Sequence, residues 1–219
     1  MVPPAGALRG TPVSAFVPPE PPAYAAATLR ERVARLVTEA LAPAHLVIAL
    51  LLLVGAHSTA DWSGAGWGLL AALFCGVVPI GLISWGVRRG ALTDRHIRIR
   101  RQRVVPMGAS LLSVVAGVAL LRVLHAPTEV GALVVAMLAG LASALAVTVW
   151  WQISLHNAVA GGTAMVLALA FGPGVLPLAA AVPLAAGWSR LVLRAHTPAQ
   201  VLAGTALGGV CALAFTLLR

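Results

Sequence analysis

Three short polar clusters interrupt an otherwise apolar chain of 219 residues, and they gather the side chains that could do chemistry. The first, residues 93–103, carries Asp94, His96 and five arginines, among them Arg95 and Arg103. The second, residues 150–157, has two tryptophans followed by Ser154, His156 and Asn157. The third, residues 188–200, holds Ser189, Arg190, Arg194, His196 and Gln200. Arginines neutralise phosphate oxygens and can hold two at once. One histidine can attack phosphorus while another protonates the leaving group. Ser154 and His156 lie at the mouth of a predicted helix, where free backbone N–H groups favour an anion. Asp94 is the only acid in the three clusters, so no carboxylate set for Mg²⁺ is at hand, and no metal or other cofactor is expected. Together the residue types fit metal-independent phosphoryl transfer.

Each cluster has a plainer reading by itself. The arginine-rich stretch suits a solvated loop against acidic lipid headgroups. Tryptophans followed by a Ser-x-His suit a membrane interface. The third cluster suits an interfacial loop with a snorkelling Arg190. In it, Thr197 is placed to cap the next helix, with Pro198 at its first position. His196 and Gln200 are four apart, so on a helix they share a face, and Gln200 could orient the imidazole.

What must position these clusters is a membrane bundle. Hydrophobic residues make up 60% of the chain and charged ones 10%, with a mean hydropathy of +0.95. A soluble domain carries about a quarter charged residues. Apolar runs at 42–59, 66–87, 105–124, 130–150, 157–172, 174–188 and 198–218 predict an all-α polytopic transmembrane bundle of six to eight spans. The runs at 157–172 and 174–188 are short and share a Gly172-Pro173-Gly174 turn. None shows the alternation of a barrel strand. Cys75 and Cys211 fall inside apolar runs without metal or disulfide spacing.

Two spans separate the first cluster from the second, and two more separate the second from the third. An even number returns the chain to the same face, so all three clusters can meet at one membrane surface. All fifteen basic residues are arginine, which suggests a GC-rich bacterial genome. All but Arg122 and Arg219 fall on the clusters' side, which the positive-inside rule assigns to the cytoplasm.

Three parts divide the chain. Residues 1–28, rich in Pro and Ala, read as a disordered tail. Residues 29–41 read as an interfacial amphipathic helix, with Leu29, Val33, Leu36, Val37 and Leu41 near helical spacing. Residues 42–219 form the transmembrane domain.

The clusters resemble the three-part pattern of the type 2 phosphatidic acid phosphatase superfamily: Lys-x6-Arg-Pro, then Pro-Ser-Gly-His, then Ser-Arg-x5-His-x3-Asp. Ser189-Arg190, His196 and Gln200 match the third part except at its last position. Ser154 and His156 match the second, with Ile153 and Leu155 in place of Pro and Gly. Arg103 stands for the Arg of the first, Val104 replaces its Pro, and its Lys falls on His96 beside Arg95. Gly161-Gly162 and Gln200-Val201-Leu202-Ala203-Gly204 look like a prokaryotic branch of the family.

The resemblance covers residues 85–215 and implies an acid-phosphatase/haloperoxidase-like helical core. It implies His196 as nucleophile, His156 as general acid and Gln200 beside the nucleophile. Arg95, Arg103, Ser154 and Arg190 would hold the phosphate, Arg95 in the Lys role because its charge is permanent. Gln200 can orient a histidine, but it cannot neutralise one as the family's Asp does.

The expected function is therefore a membrane lipid phosphate phosphatase. Its substrate would be a lipid phosphomonoester or diphosphate, such as a polyprenyl-linked phosphate, phosphatidate or phosphatidylglycerophosphate, with the site on the cytoplasmic face of the plasma membrane. Its partners are that lipid and the bilayer; no nucleic acid is expected. The alternatives are a non-catalytic binder of anionic lipid that keeps the fold, and a small transporter. Against the transporter, the spans hold almost no mid-membrane charge.

Overall fold

The computed structural model describes residues 18–19, 23–59, 61–97 and 99–219. Among these the regular structure is helical throughout. The α-helices are α1 (Leu29–Ala40), α2 (Pro43–His57), α3 (Ser63–Ala72), α4 (Val78–Arg88), α5 (Val104–Val123), α6 (Thr128–Trp150), α7 (Leu155–Phe171), α8 (Leu176–Val192), α9 (Pro198–Ala212) and α10 (Ala214–Leu218). A π-turn, Leu73–Val77, joins α3 to α4.

All seven predicted apolar runs are helical. Among the described residues, five stretches are long and apolar enough to cross a membrane, which is the character of an integral membrane protein. The pair α1–α2, bent by 45°, would make a sixth if it crosses as one broken span. By this measure the expected six to eight spans become five or six, and two helices account for the difference. α2 has 15 residues and reaches span length only with α1. α7 has 17 residues, about 26 Å at about 1.5 Å per residue against a core of about 30 Å. The run at 174–188 is longer than expected, because its helix continues through Ser189 and Arg190 to Val192.

α1 is amphipathic as expected. Thr28 and Glu31 close a capping box at its start, and those hydrogen bonds hold the Glu31 carboxyl below the usual carboxylate range. Ala34 and Thr38 are buried on one face, Ala34 clustering with Leu193 and Ala195 just beyond α8. Leu29 and Leu36 remain exposed, which leaves an apolar stripe for the membrane interface. The tail expected at 1–28 lies largely outside the described residues.

α7 and α9 set the site's spacing. A Cβ on Gly204 would come within 2.5 Å of the Ser154 carbonyl oxygen, and one on Gly208 would overlap the Ala158 carbonyl. Only glycine admits so close an approach, the small-residue packing on which membrane helices rely. The fully buried Asn157 donates from Nδ2 to the Pro183 carbonyl of α8 at 3.1 Å and to Thr205 Oγ1 of α9 at 3.1 Å. At the opposite end of α7, Phe171 meets His57 of α2 with ring centroids 4.8 Å apart.

Candidate active site

The three polar clusters converge. Arg95, His96, Arg103, His156, Arg190 and His196 all border one cavity between the helices, joined by Glu39 from α1. The even spacing of runs predicts this arrangement, and the contact of Phe171 with His57 at the far end agrees with it.

Backbone constraints place the two histidines. Ser154 caps α7 and puts His156 in its first turn. The Ser154 N–H donates to the Gln200 carbonyl at 3.1 Å, which ties the start of α7 to that of α9. His196 immediately precedes Thr197, the cap of α9. Between Arg190 and His196 the chain turns through Arg194, whose φ of 48° is left-handed, and the Ala195 N–H donates to the Arg190 carbonyl at 2.9 Å. A left-handed non-glycine residue costs about 1–2 kcal/mol. Here the turn brings Arg190 and His196 to the same cavity wall.

Arg103 is 2% exposed. Its Nε donates to the Ile97 carbonyl at 2.7 Å and an Nη to the Ile153 carbonyl at 3.1 Å, joining the first cluster to the second. Ile97 is itself left-handed at φ 44°, which is rare for a β-branched residue and is held by this bond and by its burial. Arg100 anchors the same loop, donating to the Val149 carbonyl at the end of α6 at 2.6 Å. Both of these hydrogen bonds go to neutral carbonyls, and the Asp94 carboxylate lies within electrostatic reach of the guanidinium. Arg190 is likewise buried rather than snorkelling.

His156 is 5% exposed, and its Nε2 has no hydrogen-bond partner among the described residues. A buried imidazole nitrogen facing a cavity can bind or protonate a ligand oxygen. The His96 ring lies 5.3 Å from that of His156, and its Nε2 meets Glu39 Oε1 at 2.7 Å. Arg95 also borders the cavity but is exposed, at the mouth. So the residue at the pattern's Lys position by count, His96, is the one that packs against His156.

Ser154 and Gln200 stand behind the cavity wall. Ser154 is fully buried and its hydroxyl accepts from the Asn157 N–H at 3.4 Å. Gln200 Oε1 accepts from the Thr197 N–H at 3.1 Å, closing a capping box on α9. Sequence reading identified Thr197 as a cap but placed Gln200 on the imidazole. It also missed Glu39, which carries no signal among the other charged residues of α1, and the supporting role of Asn157.

Three arginines and four histidines, His45 among them, border the cavity against one carboxylate, Glu39. No group of His, Cys, Asp or Glu suited to a metal ion occurs among the described residues. No family model, curated protein or solved structure matches the chain.

Proposed function

We propose that this protein is a membrane lipid phosphate phosphatase working through a phosphohistidine. The carrying observation is the convergence of His156, His196, Arg103 and Arg190 from three chain segments on one cavity. The resemblance to type 2 phosphatidic acid phosphatases assigns the roles. A nitrogen of His196 attacks phosphorus, the P–O bond to the lipid breaks, and His156 gives its proton to the departing oxygen. Water then attacks the phosphohistidine, His156 takes a proton from it, the P–N bond breaks and phosphate leaves. The histidines end as they began, so the cycle needs no outside proton. Arg103 and Arg190 neutralise the phosphate oxygens throughout. The arginine distribution supports a site on the cytoplasmic face of the plasma membrane.

The test is phosphate release by purified protein from a panel of polyprenyl, diacyl and lysolipid phosphates, with EDTA present. The expected result is turnover that His196→Gln abolishes. One observation favours a second reading, a binder of anionic lipid without catalysis: Gln200, at the position of the pattern's Asp, is committed to a helix cap. That reading predicts lipid binding with no phosphate released.

A further inference from the structure

The phosphate-binding end is only part of the cavity, whose volume is about 370 Å³. Ionisable residues border its mouth. Below them the walls are mainly apolar, with Val47 from α2, Ile83 from α4, Val114 from α5, Met137 from α6, Val166 from α7 and Leu207 from α9, and with Ser110 and Thr163 as polar exceptions. From Arg103 to Val114 on α5, and from His156 to Val166 on α7, the lining extends about 15 Å at about 1.5 Å per residue. That is one leaflet of a hydrocarbon core of about 30 Å.

The arm borders the gap between α2 and α4. At the π-turn these segments touch: a Cβ on Gly76 would lie 2.5 Å from Ile48 Cγ1. Nearer the mouth, Ala44 and Val47 of α2 and Ile80 and Ile83 of α4 border the cavity between them. Ile80 is 38% exposed. An apolar arm of this depth, below a cationic mouth, is complementary to an anionic headgroup carrying one hydrocarbon chain.

We propose that one chain of the lipid phosphate leaves the bilayer between α2 and α4 and lies in this arm during turnover, so that the enzyme measures chain length. This rests on the phosphatase reading above. A second chain, where the lipid has one, stays in the bilayer. Gly140 and Met137, both on α6, line the arm about one turn apart, with Leu133 one turn deeper. A Cβ on Gly140 would make only ordinary contact, 3.7 Å from Cys211 Cβ, so a larger side chain there narrows the arm without moving the backbone.

The experiment uses the full chain in detergent and water-soluble n-alkyl phosphates from butyl to octyl. At about 0.8 kcal/mol per buried methylene, kcat/KM should rise about fourfold per added carbon. Gly140→Leu should flatten that rise while leaving butyl phosphate hydrolysis unchanged. Met137→Ala, which removes a wall contact, should also flatten the rise, and it serves as the check if Gly140→Leu does not fold. A flat series in a wild-type protein that does hydrolyse butyl phosphate, or equal losses on all lengths in Gly140→Leu, would overturn the arm and leave the phosphate site standing. Absence of hydrolysis at every chain length would overturn the phosphatase reading and the arm with it.

Discussion

Gln200 closes a helix cap, and the proposed mechanism would also set it beside the catalytic histidine. Its Oε1 serves the cap. A capping box accepts Glu as well as Gln at this position. Gln200→Glu should therefore keep the protein's thermal stability in detergent, whereas Gln200→Ala should lose about 1 kcal/mol. Arg103 poses a different case. A lysine cannot reproduce a planar fork donating to two carbonyls. Arg103→Lys should cost about 1–3 kcal/mol of stability, readable as a lower melting temperature, together with most of the phosphatase activity. At this scale the sequence was informative because His156, His196, Arg103 and Arg190 are polar residues that interrupt an apolar chain. It was uninformative about direction: nothing in the order of residues says that His96 faces inward while Arg95 stays exposed.

Between elements, the separation of the two histidines depends on how closely α9 lies against α7. A Cβ on Gly208 would overlap the Ala158 carbonyl, so Gly208→Val must push the helices apart. The expected cost is about 1–3 kcal/mol of stability, with loss of turnover because His156 and His196 separate. Thermal unfolding and phosphate release on the same preparation check both. α1 bears on the site more lightly. Glu39 seats His96 through a 2.7 Å hydrogen bond at a largely exposed position, and such exposed contacts are worth about 0–1 kcal/mol. Glu39→Gln should raise KM by no more than about fivefold and leave kcat unchanged, which steady-state kinetics resolves. The amphipathic pattern of α1 was legible in the sequence. Its reach into the site was not, because that depends on the 45° bend to α2.

For the whole molecule, span parity and arginine distribution carry the sequence reading. Parity predicts one shared face, and the cavity gathers the three clusters there. Span count was less legible, because helix length depends on where caps fall: α8 runs on through Ser189 and Arg190, while α2 needs α1 to reach span length. The proposed orientation predicts that a cysteine at Thr93 reacts with an impermeant reagent only from the cytoplasmic side, and one at Asp61 only from the other, once Cys75 and Cys211 are replaced. The central claim is a covalent one, that His196 takes the phosphoryl group. Its most direct test is rapid denaturing quench of the purified protein during turnover of a lipid phosphate, with the modified residue mapped by mass spectrometry. The account predicts a phosphoryl group on His196 that is absent from His196→Gln. Turnover with no phosphorylated residue, or with the phosphoryl group elsewhere, would contradict it.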